Sequence, residues 1–103
     1  MPSSLELGMQ AMQEGQPSRA ASFFEFALKK APADPAIRIL AADAYLAAEQ
    51  VGKAEPHVRF LLDQADSLYQ RGEYELLARA RAAMAKIDAA RGGLPGYDGG
   101  TAT

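Results

Sequence analysis

Apolar residues recur at every third or fourth position through most of residues 4–91, which is the spacing of helices that bury one face. Short segments that contain glycine, proline or aspartate interrupt this pattern. They divide it into five predicted helices with bounds of about 4–14, 17–31, 35–50, 55–71 and 73–91. The sequence therefore predicts an all-α fold in which short turns bring consecutive helices together as antiparallel hairpins.

The predicted helix ends carry residues that commonly begin and end helices. Ser3, with Glu6 three residues later, forms a candidate capping box for the first helix. Gly15 can end that helix, and Pro17 suits the first turn of the second helix, where its missing N–H is no loss. Asp34 is the predicted N-cap of the third helix. These signals place the first two turns independently of the apolar pattern.

The spacing of residues in the first two helices is specific. Leu7 lies thirteen residues before Ala20, Phe24 follows Ala20 by four, and Pro32 follows Phe24 by eight. This spacing resembles the signature of the tetratricopeptide repeat, a 34-residue helix–turn–helix unit. The resemblance implies hairpins stacked into a right-handed superhelical array, which the fifth helix would close as a C-terminal capping helix. Within the first hairpin, Gly8 would leave room for Phe24, which is therefore predicted to be buried.

Residues 35–71 repeat this pattern in part. A shift by one repeat length places Leu7 and Gly8 over Ala41 and Ala42. Pro56 is predicted to begin the fourth helix, whose predicted core face includes Leu68 and Tyr69. This face aligns with that of the second helix only after a shift that is four positions longer. We therefore predict an insertion of that length near the turn of the second unit. Residues 72–74 resemble the turn of a third repeat.

Composition and charge restrict the class of function. The chain has 103 residues, a net charge of -2, a pI near 5.3 and no cysteine. The acidic balance argues against binding to nucleic acid, and the lack of cysteine excludes disulfides, a thiol nucleophile and a Cys-based zinc site. No signal peptide and no apolar stretch of membrane-spanning length is visible, so a cytoplasmic protein without a membrane partner is expected.

The chain is predicted to divide into a helical domain at 1–91 and a flexible glycine-rich tail at 92–103. Pro95 is incompatible with a continuing helix, and the tail contains paired glycines. Leu94 and Tyr97 are the two tail residues that could dock on the helical domain.

Residues capable of catalysis are few and lack partners in the sequence. His57 is the only histidine, and Leu61 stands one turn later where a second ligand or base would be expected. His57 is therefore predicted to be exposed to solvent. Arg59 and Asp63 are spaced for an ordinary surface ion pair. We predict no catalytic residue, no metal ligand and no cofactor, and hence no enzyme.

The C-terminal third of the chain carries five basic residues, of which Arg79 and Lys86 share one helix face. This face could be a contact surface for an anionic partner. Interspersed acidic residues favour the alternative of a solvated surface.

The first and third predicted helices have a second apolar side that the hairpin contacts do not use. The resemblance implies that these helices line a concave groove, so this side is the predicted partner-binding strip. Methionine in such a strip is typical of surfaces that accept apolar partners. The predicted partner-binding residues are Leu5, Met9, Met12, Ile39, Asp43 and Leu46.

Two functions follow from this strip. The first is a small adaptor or escort chaperone, comparable to the compact secretion chaperones of bacteria, that binds an amphipathic helix or apolar peptide of a partner protein. The second is a homo-oligomeric scaffold in which the same strip contacts another copy of the chain. A third possibility is that the fifth helix or the N-terminus covers the strip.

Overall fold

The computed structural model describes residues 1–92, and this part of the chain contains α-helices without any strand. The all-α prediction and the hairpin arrangement are confirmed, with six helices instead of five. The predicted tail lies outside the described residues, apart from Gly92. The helices are α1 (Ser4–Gln13), α2 (Pro17–Lys30), α3 (Pro35–Ala47), α4 (Val51–Leu62), α5 (Ala65–Gln70) and α6 (Tyr74–Ala90).

The predicted helix starts are confirmed where a side chain caps them. At α1, the Ser3 hydroxyl accepts from the N–H of Glu6 at 3.1 Å, and the Glu6 carboxylate accepts from the N–H of Ser3 at 2.8 Å. At α3, the Asp34 carboxylate accepts from the N–H groups of Ala36 and Ile37. These bonds satisfy donors that a helix leaves unpaired in its first turn.

Consecutive helices from α1 to α4 pack against one another, and α6 packs against α4 and, less extensively, against α3. The contact between α1 and α2 is close because Gly8 has no side chain. A β-carbon built on Gly8 would lie 2.5 Å from the Phe24 ring, which is fully buried. The predicted burial of Phe24 opposite Gly8 is confirmed.

The turns after α1, α3 and α5 have the same backbone geometry. In each, a residue with positive φ donates to the carbonyl three residues before it, and the next residue donates to the carbonyl five residues before it. The residues with positive φ are Gly15, Glu49 and Gly72, at 73°, 61° and 78°. This recurring turn shows that residues 1–92 contain three hairpin units, the third formed by α5 and α6.

The predicted insertion in the second unit is wrong. Glu49 lies one full repeat length after Gly15, and α4 begins one full repeat length after α2, so the second unit has the ordinary size. Gly72 follows Glu49 by a clearly shorter interval, because α5 has only 6 residues. The departure from the repeat length is therefore a shortening of the third unit.

The fourth predicted helix is also wrong in its bounds. It begins at Val51, five residues before Pro56, and ends at Leu62, after which α5 starts as a separate helix. Pro56 lies inside α4, where it removes one helical hydrogen bond. Tyr69, predicted to face the core, is 61% exposed. Residues 63–64, where the helix breaks, contain neither glycine nor proline, so the sequence gives no signal for the break.

The third helix is covered on more sides than predicted. It contacts α2, α4 and α6, and a helix with neighbours on several sides is apolar around most of its circumference. Ile39 is consequently 1% exposed and belongs to the core. The prediction that Ile39 faces an open strip is wrong. No described helix is long and apolar enough to cross a membrane.

Candidate functional site

Two open hollows lie side by side between α1, α3 and α6. The first, of about 300 Å³, is lined by Met9, Met12 and Gln13 of α1, by Leu40 and Asp43 of α3 and by Arg79 of α6, with Phe24 at its base. The second, of about 400 Å³, is lined by Asp43, Leu46, Ala47, Arg79, Ala82, Ala83 and Lys86. Because Asp43 and Arg79 line both hollows, the two form one continuous surface, which we call the groove.

An ion pair crosses the groove where the two hollows meet. Arg79 Nη2 lies 2.6 Å from Asp43 Oδ2 and donates a hydrogen bond to it. The two side chains are 43% and 38% exposed, so water competes with this contact. The pair joins the terminal helix α6 to α3 and divides an apolar half of the groove from a half that contains Lys86.

The structure brings together four of the six predicted partner-binding residues. Met9, Met12 and Asp43 line the first hollow, and Leu46 lines the second together with Asp43. Leu5 is half-buried and lines a separate hollow of about 390 Å³ with residues of α2 and α3. Met9 is 48% exposed, which makes it one of the large apolar side chains most open to water.

The sequence left open whether the fifth helix covers the strip, and in the structure α6 forms one wall of the groove. Arg79 and Lys86, spaced seven residues apart on α6, both line it. The basic face singled out from the sequence therefore belongs to the same site as the apolar strip. The signal available in the sequence was their shared face, but the contact between α6 and α3 depends on tertiary packing.

A second cluster of polar side chains joins α2, α3 and α4. His57, predicted to be exposed, is 6% exposed, and that prediction is wrong. Its Nε2 lies 3.0 Å from Glu25 Oε2, and its Nδ1 lies 3.2 Å from an Arg38 nitrogen. The Tyr45 hydroxyl donates to the same Glu25 oxygen at 2.7 Å, and the Tyr45 and His57 rings are stacked. We call Glu25, Arg38, Tyr45 and His57 the polar cluster.

The geometry of the polar cluster selects one tautomer of neutral His57. Arg38 can only donate, so Nδ1 accepts from Arg38 and Nε2 carries the hydrogen that is donated to Glu25. Partial burial raises the pKa of Glu25, but the hydrogen bonds from Tyr45 and His57 outweigh it, and the pKa lies below its ordinary value of 4.5. Burial, together with the bond to Glu25, raises the pKa of Tyr45 to about 12.

Arg38 is held on two further sides. Its guanidinium lies 4.0 Å from the centre of the Phe60 ring, and two of its nitrogens donate to the Pro32 carbonyl at 2.8 and 3.1 Å. Each member of the polar cluster thus has a partner on another helix or on the loop before α3, and the arrangement ties three helices together. It offers no activated nucleophile. Among residues 1–92, no group of three or more His, Asp or Glu side chains could hold a metal ion.

The ion pair predicted between Arg59 and Asp63 is wrong. Arg59 turns toward Glu55, one turn earlier, at 2.6 Å, and Arg91 at the end of α6 contacts the same carboxylate. The hydrogen bond from Arg59, with a further contribution from Arg91, lowers the pKa of Glu55. Glu55 therefore links the start of α4 to the end of α6.

Comparison with known proteins bears on the repeated hairpins. A family model described as the tetratricopeptide repeat matches residues 11–72. This range includes the end of α1 from Ala11 and all of α2 to α5. It contains the first two turns of shared geometry and the third as far as Gly72. No curated protein and no solved structure matches the chain.

Proposed function

Because the chain belongs to the tetratricopeptide repeat family, whose repeats are protein-interaction modules, we propose that its groove binds an amphipathic helix of a partner protein. Repeats of this kind stack into concave surfaces, and the groove is formed by three helices of such a stack. A helix laid in an apolar groove is a recurring mode of peptide recognition.

The observation that carries this proposal is the exposed apolar wall of the first hollow. Met9 is 48% exposed beside the half-buried Met12 and Leu40. Methionine adapts its shape to different apolar partners, and clustered apolar side chains open to water commonly mark an interaction site. Within residues 1–92, the contacts of α1 leave Met9 on this side of the helix exposed.

The biological role that fits this groove is that of a small adaptor or escort chaperone in the bacterial cytoplasm. Such a protein holds an apolar segment of a partner that would otherwise associate with other proteins. Residues 1–92 form three hairpin units, so the groove accommodates one short helix instead of wrapping a long partner.

The second candidate function is a homo-oligomeric scaffold. Its support is the same exposed Met9, together with Tyr69 and Tyr74 near the opposite end of the chain of helices, which are 61% and 59% exposed and contact each other edge to face. Exposed apolar side chains at both ends of a repeat array suit association between copies. Sedimentation at several concentrations separates the two candidates, since a scaffold is oligomeric without a partner.

A photo-crosslinking residue at Met9 tests the groove directly. Expressed in a bacterial cell, it should give a discrete crosslinked product, and mass spectrometry should place the crosslink in an amphipathic segment of another protein. The matched control carries the same residue at Tyr69, which is exposed but outside the groove. Equal crosslinking from both positions, or none from Met9, would contradict the proposal.

A further inference from the structure

The charges that line the groove are unequal. Among the described residues that line it, Asp43 is the one acidic side chain, and Arg79 and Lys86 are the two basic ones. Arg79 is already paired with Asp43, and Lys86 makes no ion pair within residues 1–92. The groove thus has a net positive charge, although the whole chain carries a net charge of -2.

The two basic residues have a fixed spacing. Arg79 and Lys86 are seven residues apart on α6, which corresponds to about two turns, or roughly 10 Å along the helix. A helix that lies along α6 presents its own residues i and i+7 at the same spacing. Carboxylates at these two positions would face Arg79 and Lys86 together.

The apolar wall lies on the other side of this basic edge. Met9 and Met12 come from α1 and Leu46 from α3, whereas the cations come from α6. An occupant therefore meets apolar side chains on one flank and positive charge on the other. Charge complementarity of this kind favours one class of partner and disfavours basic helices.

We propose, on the basis of the proposed function, that the occupant of the groove is an acidic amphipathic helix. Its apolar stripe contacts Met9, Met12 and Leu46, and two carboxylates spaced seven residues apart pair with Arg79 and Lys86. The carboxylate near Arg79 competes with Asp43 for the guanidinium. The Asp43–Arg79 pair is thus exchanged for a contact with the partner when the helix binds.

Three labelled helical peptides test this proposal. They share one alanine-rich sequence with a leucine stripe, and their ends are acetylated and amidated so that no terminal charge contributes. The first carries Glu at two positions seven residues apart, the second carries Gln there, and the third carries Lys. We expect the Glu peptide to bind about fivefold more tightly than the Gln peptide in anisotropy titrations at low salt, and the Lys peptide to bind most weakly.

Variants of the groove charges give a second readout. Lys86→Glu should weaken binding of the Glu peptide and strengthen binding of the Lys peptide. Lys53→Gln should change neither affinity, because Lys53 is exposed and lies outside both hollows. Asp43→Asn should strengthen binding of the Glu peptide, because it removes the carboxylate that pairs with Arg79. High salt should reduce the difference between the Glu and Gln peptides.

The outcomes separate this inference from the proposed function. If the Glu and Gln peptides bind with equal affinity and Met9→Glu abolishes the binding of both, the proposal of an acidic partner is wrong and the proposal of a binding groove stands. Absence of binding by every peptide would overturn both. If the chain alone forms a dimer and Lys86→Glu dissociates it, the groove binds a second copy of the chain. If deletion of residues 93–103 tightens the binding of all three peptides, the groove binds the chain's own C-terminal segment. Either result would overturn the inference.

Discussion

Single residues determine how closely the first two helices approach. Gly8 is the position where α1 contacts the Phe24 ring, and any β-carbon there would overlap with the ring. Phe24 in turn is among the largest fully buried side chains of the chain. The close contact depends on the absence of one side chain as much as on the presence of the other.

Phe24→Ala should lower the free energy of unfolding by about 3–5 kcal/mol, the range for truncation of large aromatic residues in cores. Urea unfolding followed by circular dichroism measures this loss. Phe26→Ala is the matched control, because Phe26 lies on the same helix and is 51% exposed. A loss below about 1 kcal/mol for Phe24→Ala would contradict the packing described for the first hairpin.

Glu25 makes the stability of the chain dependent on pH. Its pKa is lower in the folded chain than its ordinary value of 4.5, so the folded state stabilises the ionised carboxylate. This stabilisation is present above pH 4.5 and is lost as the pH falls through the lowered pKa of the folded state. The Glu25→Gln variant should therefore be less stable than the native chain at pH 7. Its free energy of unfolding should also fall less than that of the native chain when the pH is lowered.

Urea unfolding at pH 7 and at acid pH, for the native chain and for Glu25→Gln, measures this difference. Glu75→Gln serves as the control for a general effect of removing one acidic residue, because Glu75 is exposed and makes no side-chain hydrogen bond or ion pair within residues 1–92. An identical pH dependence in Glu25→Gln and the native chain would show that the polar cluster does not stabilise the charged form of Glu25.

At the scale of elements, the repeated unit is defined by its turn. The turns after α1, α3 and α5 share their hydrogen bonds and a residue with positive φ. In the turns after α1 and α5 this residue is glycine, Gly15 and Gly72, and a residue with a β-carbon would be strained in the same backbone conformation. Glu49 adopts the same conformation without being glycine, which costs free energy.

Glu49→Gly should therefore stabilise the chain by up to about 1 kcal/mol, and Gly15→Ala and Gly72→Ala should each destabilise it by a similar amount. Thermal or urea unfolding of the three variants gives the comparison. A β-carbon at Gly15 or Gly72 would meet no atom within 4 Å, so the two alanine substitutions test the backbone alone. If Glu49→Gly were destabilising, the shared turn would not be the feature that sets the repeat.

These elements also show what the sequence can predict. The starts of α1 and α3 were predictable because Ser3 and Asp34 cap them through local hydrogen bonds. The register of the second unit was mistaken because its turn has Glu49 where the other two turns have glycine, whereas Gly52 lies in the first turn of α4. The break between α4 and α5 has no local signal of this kind.

The candidate site was predicted less completely than the helices, because part of it depends on contacts between residues far apart in the sequence. Met9, Met12, Asp43 and Leu46 were found because their helices show a second apolar side with a helical period. The polar cluster was missed because Glu25 and His57 are far apart in the sequence and meet only through tertiary packing. Burial of Ile39 likewise depends on the several helices that surround α3.

At the scale of the whole molecule, three hairpin units place one groove between the first and last helices of the described chain. The polar cluster fixes α2, α3 and α4 relative to one another, and α6 contributes the basic wall. The predicted division of the chain at residue 91 stays a prediction.

Deletion of residues 93–103 should leave the melting temperature of the chain nearly unchanged, because the predicted tail contributes few native contacts. Differential scanning calorimetry of the full-length and shortened chains measures this. A decrease of many degrees would mean that Leu94 or Tyr97 docks on the helices.

Partner capture by a variant of the groove is the most direct test of binding at this surface. Met9→Glu combined with Leu46→Gln places polar groups in both hollows and should leave the helical circular-dichroism signal largely intact. The variant should lose the partner that the native chain retains in co-purification and crosslinking, whereas Phe26→Glu with Tyr69→Glu, which changes exposed aromatic residues elsewhere, should retain it. Unfolding of the groove variant would show that the strip belongs to the core, and a folded variant with undiminished capture would show that partners bind at another surface.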